Sequence, residues 1–173
     1  MPHTDDELRF VSKYFSYHFK MYIYTFLWIN DHKEKPTVWD TNRNAIIEDN
    51  LIHARILINF FFSPPKYPTD IVVNNYFENT PINFPILNNE FLKDQSKIIG
   101  GQLVHLTLKA MPALKSEQDW PIFEIKENLS PLILGFLAYV PNDKFDKHSK
   151  EECMSNALHL RPSSPLVTIN AST

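Results

Sequence analysis

The sequence predicts an all-α fold: a four-to-five-helix bundle with a Pro-rich connection after helix two. Three observations lead there. Apolar residues recur at steps of three and four rather than two, which is the spacing of a helix face. The chain holds 13 Phe and only 3 Gly in 173 residues, which suits a core of large side chains rather than a turn-rich β-protein. Most of its 13 prolines fall between the periodic stretches, where proline ends helices. A chain of this size forms one domain, burying roughly 70% of the surface exposed when unfolded. We expect that domain over residues 1–140, and a tail over 141–173 that is mobile or bound to a partner.

The first helix starts at "TDDE", residues 4–7. Thr4 can accept from a backbone N–H three residues on, while Glu7 reaches back, forming a capping box. Leu8, Val11, Phe15, His18, Tyr22, Thr25 and Ile29 then mark one face as far as about Asn30. Residues 30–36, "NDHKEKP", form a loop. The second helix starts near Trp39 or Thr41 and stops at Phe62, before Ser63-Pro64-Pro65. Ile47, Leu51, Ala54, Ile58 and Phe61 form its central stripe, and Ile46, Asn50, His53, Leu57 and Phe60 a neighbouring row. His53 thus lies at the core margin, and Arg55 on another side.

Residues 63–86 read as a long connection with one short helix near 70–77, capped by Thr69 or Asp70. A third long helix is expected from Asn88 to Lys109 or Ala110, with Gly100-Gly101 in its middle. Two glycines there cost about 1 kcal/mol each relative to alanine, so a neighbour approaching closely is the natural compensation. The last long helix starts with Asp119 as cap and Pro121 in its first turn. Ser130-Pro131 should kink or split it before it resumes to Val140. Beyond Pro141 apolar periodicity fades, although "KEECMSNALHL" can form a short helix.

The formal net charge of -3 offers nucleic acid no general attraction, so any RNA contact needs a local basic patch or a dimer groove. There is no DNA-binding signature. Cys153, the single cysteine, cannot form an internal disulfide and suits a reducing cytoplasm. The acidic N-terminus lacks a signal pattern, and no apolar run reaches membrane-spanning length. The expected location is cytoplasmic, away from the membrane. No phosphate loop, HExxH or GxSxG pattern is present, and the residues call for neither cofactor nor metal.

The remaining chemistry lies in polar residues set among apolar ones. Asp49 and His53 stand four apart on helix two, the spacing at which a carboxylate fixes an imidazole tautomer and raises its basicity. The plainer account is a hydrogen bond on the helix margin. Arg55 has Glu48 and Asn59 within pairing reach on its own helix. His105, beside Gln102 and between Val104 and Leu106, is either a satisfied core histidine or an acid–base group. His18 can join these in a three-histidine metal site, although no second-shell pattern accompanies it. Aromatic residues on both faces of helix one leave an apolar face outside the core. A homodimer is the preferred use of that face.

Three stretches, "IEDNLIHARILINFFF", "DIVVNNYF" and "KIIGGQLVHLTLK", resemble a group of small, largely uncharacterised bacterial helical proteins with an His-Ala-Arg segment, an Asp-containing connection and a His-Leu-Thr segment. The likeness covers roughly residues 40–140. More distantly, the pattern is similar to the HEPN superfamily, whose active members are metal-independent RNases of toxin–antitoxin and phage-defence systems. The superfamily motif sets an arginine four to six residues before a histidine. His105 matches the histidine. Positions 99–101 are Ile, Gly and Gly, and the nearest upstream cation is Lys97, so the arginine would have to come from elsewhere, with Arg55 on the adjacent helix as the candidate. The resemblance implies His105 as base or acid, Arg55 or Lys97 as the cation, His53 with Asp49 as a second acid–base group, and RNA or a cognate antitoxin as partner. The alternative is a non-catalytic helical interaction module, or a dimeric structural protein, with structural His and Arg.

Overall fold

A computed structural model describes residues 3–32, 41–82, 84, 88–104 and 120–160. Among these residues the chain is all-α, with no strand. Its helices are α1 (Asp5–Asp31), α2 (Thr41–Phe62), α3 (Val73–Phe77), α4 (Glu90–Ile99), α5 (Ile122–Tyr139) and α6 (Lys147–Asn156). A π-helical segment, Gly100–Val104, extends α4, and a 3-10 turn, Ala157–Leu160, closes α6.

The capping box forms as expected. The Thr4 hydroxyl accepts from the Glu7 N–H at 3.3 Å, and the Glu7 carboxylate accepts from the Thr4 N–H at 2.8 Å. From there α1 lies along α2, joined by a buried polar bridge. The Asn50 amide donates to the Tyr22 carbonyl at 3.0 Å and to the Thr25 hydroxyl at 2.9 Å. Satisfying a buried amide in this way fixes the register of two otherwise apolar surfaces, because sliding either helix would leave it unpaired.

Around this pair the core is aromatic. The Phe136 ring of α5 lies within 5.1–6.3 Å, centre to centre, of Phe15, Phe60, Phe61, Tyr76, Phe77, Phe84 and Phe145. Those rings come from α1, α2, α3 and the connections beside α3 and α6. One side chain thus joins segments far apart in sequence.

Several expected boundaries shift for local reasons. Thr69 and Asp70 do not cap α3. The Asp70 carboxylate instead accepts from the N–H groups of Lys66 and Tyr67 at 2.8 and 3.0 Å, closing the preceding turn, and α3 starts at Val73. Asn89 caps α4 by accepting from Leu92 N–H at 3.0 Å. The helix then changes to π geometry at Gly100. Residues 105–119, which include the expected cap Asp119, lie outside the described set. Pro131 does not split α5, which continues through it. Leu129, Leu132, Ile133 and Phe136 on its two sides are buried in the same core, and that burial outweighs the roughly 3 kcal/mol cost of an internal proline.

The largest departure concerns the segment after Pro141. Residues 141–160, expected to be mobile or held by a partner, pack on α1 and α5, with Phe145, Cys153, Ala157 and Leu160 buried. Polar bonds hold much of this contact. The Ser12 hydroxyl accepts from Asp146 N–H at 2.9 Å, while Ser16 and Lys20 donate to the Glu152 carboxylate at 3.0 and 2.7 Å. Burial pushes the Cys153 thiol up to about 12, which keeps it protonated and unreactive. Residues 161–173 lie outside the described set. No described helix is long and apolar enough to cross a membrane.

Candidate functional site

Two polar places interrupt the apolar helices, one on each side of α2. The first is on the α1–α2 seam. His18 and His53 face each other with their Nδ1 atoms 2.8 Å apart, so one ring must donate and the other accept. Asp49 Oδ1 lies 3.4 Å from His53 Nε2. This carboxylate favours the proton on Nε2, which leaves His53 Nδ1 as acceptor and His18 Nδ1–H as donor. The Tyr17 ring stands edge-on to His53 at 5.8 Å.

Both imidazoles are held below the ordinary histidine value of 6.5. Burial is the main cause for each; the His53 charge adds to it for His18, and Asp49 opposes it for His53. At neutral pH the pair is therefore uncharged, which is what a hydrogen bond between two imidazoles across a packed seam requires. His18 also borders an open cleft of about 400 Å³, lined in addition by Tyr14, Ile56, Asn59 and Lys66.

The second place is on the α2–α4 side. Arg55 is half-buried and lies against Gly100: a Cβ there would stand 2.8 Å from the guanidinium carbon and 2.9 Å from Nε. Gly100 is thus the close approach expected at the glycine pair, although what approaches is a side chain rather than a helix backbone. At Gly101, among the described residues, the corresponding position has no non-neighbouring atom within 4 Å. Arg55 Nε is buried without a hydrogen-bond partner among the described residues, and so is Gln102 Oε1 of the same π segment. No ion pair among the described residues reaches Arg55.

Asn59, one of its two expected partners, instead accepts from Ser63 and Ser96 at 3.2 and 2.6 Å. Lys97, the other candidate cation, is paired with Asp94 at 2.8 Å on the exposed side of α4.

Asp49 and His53 therefore come together as expected, while His53 and Arg55 do not share a cavity. Two residues apart on an α-helix means about 200° of rotation, so one faces α1 and the other α4. His105 lies outside the described residues. His18, which sequence reasoning set beside His53 as a fellow metal ligand, does meet it, through a direct Nδ1–Nδ1 hydrogen bond. Its position on the inner row of helix one, like that of His53 on helix two, was the available signal. Among the described residues no group of three or more His, Cys, Asp or Glu gathers to hold a metal ion. Compared with protein-family models, curated proteins and solved structures, the chain finds no match in any of the three.

Proposed function

We propose that this chain is a HEPN-like helical protein that cleaves RNA without a metal ion, as a component of a toxin–antitoxin or defence system, and that Arg55 is the cation that receives the phosphate. The observation that supports it is a half-buried guanidinium with no acidic partner among the described residues, set on a π-helical segment. Buried cations are normally paired, and an unpaired one suits an anion that arrives from outside. π-Helical insertions also occur frequently at functional sites. In this reading Arg55 takes the place of the arginine missing from positions 99–101.

The chemistry needs two kinds of group. An imidazole, assigned to His105, removes the ribose 2′-OH proton; the 2′ oxygen attacks the adjacent phosphorus, and the 5′ oxygen leaves as it gains a proton. Arg55 offsets the negative charge that builds on the phosphoryl oxygens. His53 and Asp49 have no part in this scheme, since they lie on the α1 side of α2.

The test is single-stranded RNA incubated in EDTA with wild type and with Arg55→Ala, both checked for retained helicity. Cleavage by the wild type should persist in EDTA and fall about 10²–10³-fold in the variant, the usual effect of deleting one group that stabilises transition-state charge. A wild type that leaves RNA intact removes this reading. A non-catalytic interaction module would then stand, and one observation already favours it: the seam histidines satisfy each other.

A further inference from the structure

We infer that the outer face of the α1–α2 seam is where a second copy of this chain docks. This goes beyond the RNA reading and does not depend on it. Along α1, Phe10, Tyr14, Tyr17 and Tyr24 are each more than half exposed, at 59, 54, 52 and 52%. With half-buried Met21 they recur at steps of four and three, the seam spacing of a helix that packs on another helix. None of the five is charged, and all stand away from the buried row of Leu8, Phe15, Tyr22 and Ile29.

The stripe continues sideways onto α2. Tyr17 reaches the His53 ring and Tyr14 shares the cleft with Ile56. Ile52 and Ile56 are themselves exposed on the same side of the seam.

Area and symmetry point to a second copy. At 1.5 Å per residue α1 is about 40 Å long, and two adjacent helices present a width of about 20 Å, giving a face of roughly 800 Å². That footprint is the size that each partner contributes to a standard-sized stable complex. A two-fold axis near Tyr17 would set Phe10 against the other copy's Tyr24 and Tyr14 against its Met21. The two α1 helices would run antiparallel, each dipole against its opposite. The first-turn acids Asp5, Asp6 and Glu7 would then lie at opposite ends rather than together.

The experiment is sedimentation of the full chain, of Tyr14→Glu/Tyr17→Glu, and of Leu158→Glu, which alters an exposed apolar residue on another element. Wild type and Leu158→Glu should sediment at twice the 20.3 kDa chain mass, and the double variant should dissociate at least about thirtyfold more readily. Because the altered tyrosines are exposed, circular dichroism should show an unchanged fold. A positive arm does not rely on losing anything: Tyr17→Cys, next to the axis, should cross-link to a disulfide dimer under mild oxidant, while buried Cys153 stays reduced. A monomeric wild type, a dimer indifferent to the Tyr14/Tyr17 changes, or a Tyr17→Cys chain that does not cross-link would each overturn the proposal.

Discussion

Phe136→Ala is expected to destabilise the fold by about 3–5 kcal/mol, the range for removing a fully buried aromatic side chain when its surroundings relax only in part. The position is fully buried, and seven other rings pack on it. Because those rings belong to α1, α2, α3 and the connections, no single element can close the void without dragging another. Against a usual total of about 5–15 kcal/mol the loss is large. The expected readout is a fall in Tm of roughly 6–20 °C, with a matching drop in denaturant midpoint. A change below about 1 kcal/mol would show that the aromatic cluster is not the centre of the core.

Acidification is the second large effect, and it acts through the seam. His18 and His53 both titrate below 6.5 in the folded chain, whereas the unfolded chain takes up protons near 6.5. As pH falls through that value, the unfolded state binds protons first, so stability that is fully present above it declines until the folded histidines protonate in turn. The opposing influence is Asp49. Asp49→Asn should hold His53 lower still and steepen the decline. Denaturant melts between pH 7.5 and 5 should show wild type losing stability over this window, and His18→Gln/His53→Gln losing much less. A wild-type midpoint flat across the window would show that the imidazole pair carries no linkage.

Much of the architecture was legible in the residues themselves. The start of α1 is written in Thr4 and Glu7, and the end of α2 in Pro64 and Pro65, because capping and proline sterics are local. What escaped sequence reasoning was set at a distance. The contact of α6 with α1 uses Ser12, Ser16 and Glu152, small or polar residues that leave no apolar period to read. Asp70 resembled a helix cap, yet its carboxylate was taken by the turn before it. Thirty-five positions separate His18 from His53, so only packing brings them together. The separation of His53 from Arg55, by contrast, follows from helical geometry alone and was there to be read. The RNase reading itself draws on resemblance for His105 and on geometry only for Arg55.

The glycine pair provides the most direct test of the claim that Arg55 is the cation that receives the phosphate. A methyl group at Gly100 must displace the guanidinium, whereas one at Gly101 meets no non-neighbouring atom within 4 Å among the described residues. Neither change adds or removes an ionisable group. With RNA as substrate, Gly100→Ala should lose cleavage to nearly the extent of Arg55→Ala, while Gly101→Ala keeps the wild-type rate. Equal rates in wild type, Gly100→Ala and Gly101→Ala would contradict the account, and so would no cleavage by any of them.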